Sequence, residues 1–209
     1  LGFVVFSLVP ILGVFCLGFT RYDILTRPIW SGLENYRNMI AEDPLARLAL
    51  SNTFYYVGLR VPLHLTLGLV LAMLVRPSLP GMRIFRTAIY LPSVVPIVGM
   101  AIMWAWILAP QTGILNRLLA SLGLPSVNWL GRQTLAKPTI VGISLYNIGT
   151  ITMIFLAGLQ NIPSQLYEAA AMDGAGGWHK LLHITLPMLT PTIFFNLVMD
   201  IINSFQTII

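Results

Sequence analysis

The sequence predicts an all-α protein, a bundle of helices that crosses a membrane several times. Three observations carry this. Of 209 residues, 56% are hydrophobic and only 9% are charged, whereas soluble domains carry about 25% charged residues. So few charges cannot cover a water-facing surface. Five segments approach the roughly 20 mostly apolar residues that a hydrocarbon core requires. Finally, apart from Arg60, the Lys and Arg residues fall between those segments or at their ends, with no basic stripe interleaved with aromatics. The net charge of +5 is therefore not a nucleic-acid footprint.

The first apolar segment, residues 1–20, is uncharged until Arg21. The second, 53–75, is interrupted only by Arg60 and His64. The third covers 87–108 and contains Pro92 and Pro96; with Pro62 in the second, these predict kinked helices, because proline removes a backbone hydrogen bond. The fourth covers 138–159. The fifth, 189–209, holds Asp200 as its one charge. A chain that starts and stops inside apolar runs is expected to be a single transmembrane domain, 1–209, incomplete at both ends. The lone Cys16, inside an apolar run, forms no internal disulfide and reads as packing.

The connections differ. Residues 21–52 are polar and hold Asp23, Glu34, Glu42 and Asp43. Residues 76–86 form a short basic turn. Residues 109–137 combine Gly, Pro, Asn and Trp around a short helix expected at 114–122. Residues 160–188 are helical in pattern but too polar to span. Within them, Ser164 is the expected N-cap of a helix over Gln165 to Asp173. Gly174, Gly176 and Gly177 are expected to stop it. A second short helix runs from Trp178 to Thr185, and Pro187 opens the turn into the fifth segment. Ala169, Ala170 and Ala171 give a smooth surface that another protein can approach closely. Asp173 at the helix C-terminus opposes the helix dipole, and Glu168 offers a carboxylate to an arginine of a partner.

Those residues carry a resemblance. Glu168-Ala169-Ala170, three residues, Gly174, nine residues, then Ile184-x-Leu186-Pro187 resembles the EAA signature of ABC importer permeases. The flanks FLAGLQNIP and TLPMLTPTIFF match as well. YLPSVVP (90–96) and NWLG (128–131) resemble the carbohydrate branch, of maltose and multiple-sugar type, among the binding-protein-dependent importers. The resemblance implies a type I importer permease fold with five of six expected spans present. It implies a cytosolic coupling loop over 160–188, placed so by the resemblance because loop charges alone leave orientation open. It implies alternating access in the bacterial inner (plasma) membrane. The implied partners are a second permease subunit, a cytosolic ATPase dimer, an extracytoplasmic substrate-binding protein, lipid and a carbohydrate. ATP and Mg are used by the ATPase, and no cofactor is expected on this chain. Glu168, Ala169, Ala170, Asp173, Gly174, Ile184, Leu186 and Pro187 are the implied coupling residues.

Polar side chains inside spans are costly and face protein or water. Asn196, Asp200, Asn203 and Thr207 recur on one helical face, with Ser204 beside them. Ser144, Asn147 and Thr150 make a second stripe in the fourth segment, with Tyr146 adjacent. Amides, hydroxyls and a ring suit a sugar, so Tyr146, Asn147, Thr150, Asn196, Asp200, Asn203, Ser204 and Thr207 are candidates for the substrate path. The alternative is hydrogen bonding between helices, and Asp200 is a candidate to pair with an arginine of the partner permease. Absence of Lys and Arg from segments four and five favours a neutral sugar over a phosphorylated one. His64 reads as a solitary hydrogen-bonded histidine. His179 and His183 lack the glutamate of a zinc-protease helix, Lys180 standing there, so no metal site is expected. An ion-coupled secondary transporter is the rival, disfavoured by one intramembrane carboxylate and no evident repeat. No membrane-protease dyad, channel filter or phosphate-binding P-loop is present, so the chain is not expected to be an enzyme.

Overall fold

The computed structural model describes residues 1–76 and 81–207. Residues 77–80 of the basic turn and 208–209 of the fifth segment lie outside the described residues. Two compact units divide the chain between Thr53 and Phe54.

In the first unit, a π-turn (Val4–Leu8) leads into α1 (Val9–Leu17). Together they are shorter than a full span, whereas hydropathy predicts one over 1–20. The polar connection holds a small antiparallel ladder, β1 (Thr20–Arg21) with β2 (Ile29–Trp30), in which Thr20 faces Trp30. Phe19 stacks on Trp30 at 5.8 Å. Thr26 donates to Asp23 from both its hydroxyl and its backbone N–H, which holds that exposed carboxyl below its ordinary range. The short helix α2 (Glu34–Arg37) continues as a π-turn, Asn38–Glu42.

Helix α3 (Pro44–Leu74) starts well before the predicted 53–75. The Asp43 side chain accepts from the backbone N–H of Leu45 (2.8 Å) and Ala46 (3.2 Å), and proline is favourable at a first helical position. Hydropathy sees the apolar part of a helix, not its polar overhang.

In the second unit, the third apolar segment is not one kinked helix. It forms α4 (Met82–Tyr90) with a 3-10 turn (Leu91–Val94), then α5 (Ile97–Ile107), bent by 99°. Val95 between them is extended, with φ −74° and ψ 131°, the region that the ring of Pro96 favours for the residue before it by crowding the helical one. Helix α6 (Ile114–Ser121) matches the helix expected there. The fourth segment runs from Gln133 to Gln160, as α7 (Gln133–Ser144), a 3-10 turn (Leu145–Asn147) and α8 (Ile148–Gln160). Then follow α9 (Ser164–Met172), α10 (Gly177–Lys180), a π-turn (Leu181–Thr185) and α11 (Leu186–Gln206).

From Gly177 to Gln206 the path is one helix of 30 residues. Pro187 therefore does not open a turn. Among the described residues, three unbroken helices are long and apolar enough to span, Pro44–Leu74, Gln133–Gln160 and Gly177–Gln206, with the bent pair as a broken fourth. Each π-turn among the described residues is closed by the N–H of the residue before a proline: Val9, Asp43 and Leu186 donate five residues back, to Val4, Asn38 and Leu181. A proline cannot donate and its ring crowds the carbonyl four residues back; widening the turn is one relief. Pro62, Pro138 and Pro191 stay inside α-helices without it.

The buried core joins α3, α8 and α11 through Ala72, Ile151, Phe155, Leu156, Leu159 and Leu189. Gly68 permits the α3–α8 approach, since a Cβ there would sit 2.7 Å from Ile151 Cγ2.

Candidate functional site: an exposed loop and a polar cleft

Two regions gather the chemistry. The first is the loop 160–188. Pro163, not Ser164, is the cap residue of α9, and Ser164 is its first helical residue, with no side-chain cap bond. Gly174 ends α9 with φ +76°, the left-handed conformation that glycine adopts freely. Its N–H donates to Ala171 O (3.1 Å), and Ala175 N–H to Ala170 O (2.8 Å), the paired closure that satisfies the last carbonyls of a helix. Gly176 and Gly177 do not stop that helix; they start α10, as its cap and first residue.

The Tyr167 hydroxyl donates to Thr185 Oγ1 (2.9 Å), whose own proton goes to Lys180 O (3.2 Å). The Arg76 guanidinium lies 4.6 Å from the Tyr167 ring centroid. Thus α9 is held to the foot of the long helix, while its other side stays open. Glu168, Ala169 and Asp173 are exposed, as are Met172 and Trp178. Glu168 has no side-chain partner among the described residues. Ala170, Asp173, Gly174, His179 and Ile184 border a shallow recess of about 450 Å³. His179 and His183 stack at 4.0 Å, and no cluster of three metal-ligating side chains occurs among the described residues. Leu186 and Pro187 lie beyond the recess, in the first turn of α11.

The second region is a cleft of about 310 Å³ between α3, α8 and α11, with the 3-10 turn ahead of α8. Asn147, Thr150, Asn196, Asp200 and Asn203 line it together. Tyr146, Ser204 and Thr207 do not belong to its lining. Tyr146 is half-buried, Ser204 is buried behind Asp200, donating to Asp200 O (2.6 Å), and Thr207 donates to Asn203 O at the helix end.

The sequence reading missed that α3 supplies a wall. Arg60 Nη1 donates to Asp200 Oδ1 (2.8 Å) and to Ser204 Oγ (2.5 Å). His64 Nδ1 lies 3.0 Å from the same carboxylate oxygen, and its Nε2 3.4 Å from Asn147 O. So Asp200 pairs inside its own chain, His64 is not solitary, and a guanidinium does border the stripes. The available signal was the spacing of Arg60 and His64 on one helical face, the only basic side chains in the apolar run 53–75, with a lone carboxylate elsewhere that needed a counter-charge.

Residues 64–209 match the family model described as binding-protein-dependent transport system inner membrane component. A probable ABC transporter permease protein, YesP of Bacillus subtilis, is 41% identical over 99% of this chain and 67% of its own length. The arabinooligosaccharides transport system permease protein AraP of the same organism is 34% identical, over 99% and 66%. A chain in the crystal structure of a bacterial ABC transporter involved in the import of the acidic polysaccharide alginate superposes with TM-score 0.83 at 25% identity, covering 98% of this chain and 70% of that one. The chain spans about two thirds of the length of these relatives.

Proposed function

This chain belongs to the family of binding-protein-dependent transport system inner membrane components, and from that premise we propose that it is the permease subunit of an ATP-driven sugar importer of the bacterial inner membrane. It works by alternating access, beside a second permease. A separate ATPase dimer hydrolyses ATP with Mg, and a substrate-binding protein delivers the sugar. The observation that carries the reading is the exposed α9–glycine–α10 loop bearing Glu168, Ala169, Ala170, Asp173 and Gly174, continuous with the helix that carries the cleft residues.

The mechanism follows from that continuity. The ATPase grips α9 at its smooth alanine face, and Glu168 meets a cation of the ATPase. Tyr167 and Thr185 pass the movement into the rod Gly177–Gln206, because a packed helix moves as one body. Ile184 borders the docking recess, and Leu186 and Pro187 form the joint above it. Asp200 lies roughly 35 Å along the rod from Gly177, at about 1.5 Å per residue, so a tilt at the loop opens or closes the cleft. The sugar path is lined by Asn147, Thr150, Asn196, Asp200 and Asn203, with Tyr146, Ser204 and Thr207 behind or beside them. Side-chain amides, hydroxyls and carboxylate supply the donors and acceptors that sugar hydroxyls need.

The test is co-purification of the full-length protein with its partner permease and the ATPase of the same transporter. Wild type is expected to hold the ATPase, and Glu168→Lys or Gly174→Asp to release it while the permease pair stays folded. A wild-type pair that never retains the ATPase, or both variants retaining it fully, would overturn the docking role; the first result would favour an ion-coupled carrier working through Asp200.

A further inference from the structure

We infer that Arg60 of α3 is a specificity-determining residue of the cleft, paired with Asp200 so that the path selects uncharged polyhydroxyl ligands and turns away acidic sugars. This rests on the sugar-importer reading and narrows it. Absence of Lys and Arg from α8 and α11 does not support a neutral ligand, since the guanidinium of Arg60 borders the cleft from α3. What supports it is the pairing. Arg60 spends Nη1 on Asp200 and Ser204, with side chains only 11% and 7% exposed for Arg60 and Asp200. Within the pair the two charges cancel.

The unused valences point the same way. Arg60 Nε, Asn196 Nδ2 and Asp200 Oδ2 are buried and have no partner among the described residues. They are two donors and one acceptor on three residues of one lining. A hydroxyl both donates and accepts, so sugar hydroxyls can serve all three. A carboxylate ligand serves only the donors and brings a like charge against Asp200. An ammonium serves only Asp200 and meets Arg60. The family does not settle this question, since the relatives above include one named for arabinooligosaccharides and a transporter of an acidic polysaccharide.

The test uses the complete permease pair with its ATPase in nanodiscs, and equilibrium dialysis against tritiated sugars. Maltotriose, arabinotriose and lactose are the neutral probes; trigalacturonate is the acidic one. In wild type at least one neutral sugar is expected to bind more tightly than trigalacturonate by about tenfold or more. Asp200→Asn uncovers the guanidinium and is expected to move that ratio towards trigalacturonate by about tenfold. The double variant Arg60→Gln with Asp200→Asn restores neutrality and the neutral preference, which separates charge selection from misfolding. Trigalacturonate binding best in wild type, or a ratio unmoved by Asp200→Asn in a complex that still assembles, would overturn the inference while leaving the importer reading intact. An assembled complex that binds none of the sugars would sink the sugar path itself.

Discussion

The loop and the cleft are built in opposite ways. The loop is contiguous: the residues proposed to dock the ATPase fall within one stretch, 168–187, with Glu168, Ala169, Asp173, Gly174 and Pro187 exposed. The cleft is assembled: its part-buried bonds join Arg60 to Asp200 across 140 positions and His64 to Asn147 across 83. A surface that must fit a partner can be written as a short motif, because adjacency in sequence is adjacency on the helix. A site inside a bundle depends on which helices meet, and no local pattern states that. The two regions should therefore fail differently when mutated, the loop by losing partners and the cleft by losing stability.

The largest expected effect is at Asp200. Asp200→Ala leaves Arg60 buried without a counter-charge and is expected to destabilise by about 3–5 kcal/mol, read as a lower midpoint of thermal unfolding of the purified permease pair. Replacing both partners, Arg60→Met with Asp200→Leu, is expected to recover most of that loss, because a packed apolar pair needs no solvation; a double variant as unstable as the single one would mean that the pair does not account for the cost. Next comes Gly174→Val. A β-branched residue in the left-handed region costs about 1–2 kcal/mol, and ATPase retention should drop more than the unfolding midpoint does. Equal loss at both readouts would blur the distinction between the regions. Tyr167→Phe removes the hydroxyl bond to Thr185, at about 0.5–1.5 kcal/mol, and is expected to weaken sugar-stimulated ATP hydrolysis while the ATPase stays bound. The smallest effect is Arg76→Ala, which forfeits a cation–π contact worth about 0.5–1 kcal/mol. Amide exchange in α9 should quicken slightly, with the cleft helices unchanged.

Legibility follows the same division. Membrane class, helical fold and the loop motif were readable because hydropathy and contiguous spacing are local. Helix ends were less so: α3 extends into polar residues through the Asp43 cap, and α5 is cut from α4 by the Val95–Pro96 step, both decided by backbone geometry rather than apolarity. Asn196, Asp200 and Asn203 were legible as a stripe, since period 3.6 is a sequence property. Arg60 and His64 were legible as charges out of place, but not as partners of Asp200, because pairing is a property of the α3–α11 contact. Thr207, read as the fourth member of that stripe, and Ser204 beside it instead donate to carbonyls of their own helix, a competition that hydroxyl side chains in helices commonly enter.

The widened turn at Leu181–Thr185 has a bearing on phase. Each residue of an α-helix advances the azimuth by about 100°, and a π-turn absorbs one residue without passing that advance on. The compass bearing of Asn196, Asp200 and Asn203, measured from the exposed face of α9 and α10, is thus set by one proline and one surplus residue. If Pro187→Ala lets the turn relax to regular α-geometry, the stripe swings away from α3 towards lipid with the helix length nearly unchanged. Removing one residue within 181–185 of the same variant brings it back round. A chain one residue shorter at this spot can therefore keep the same cleft, where the same deletion elsewhere along the rod would turn it aside.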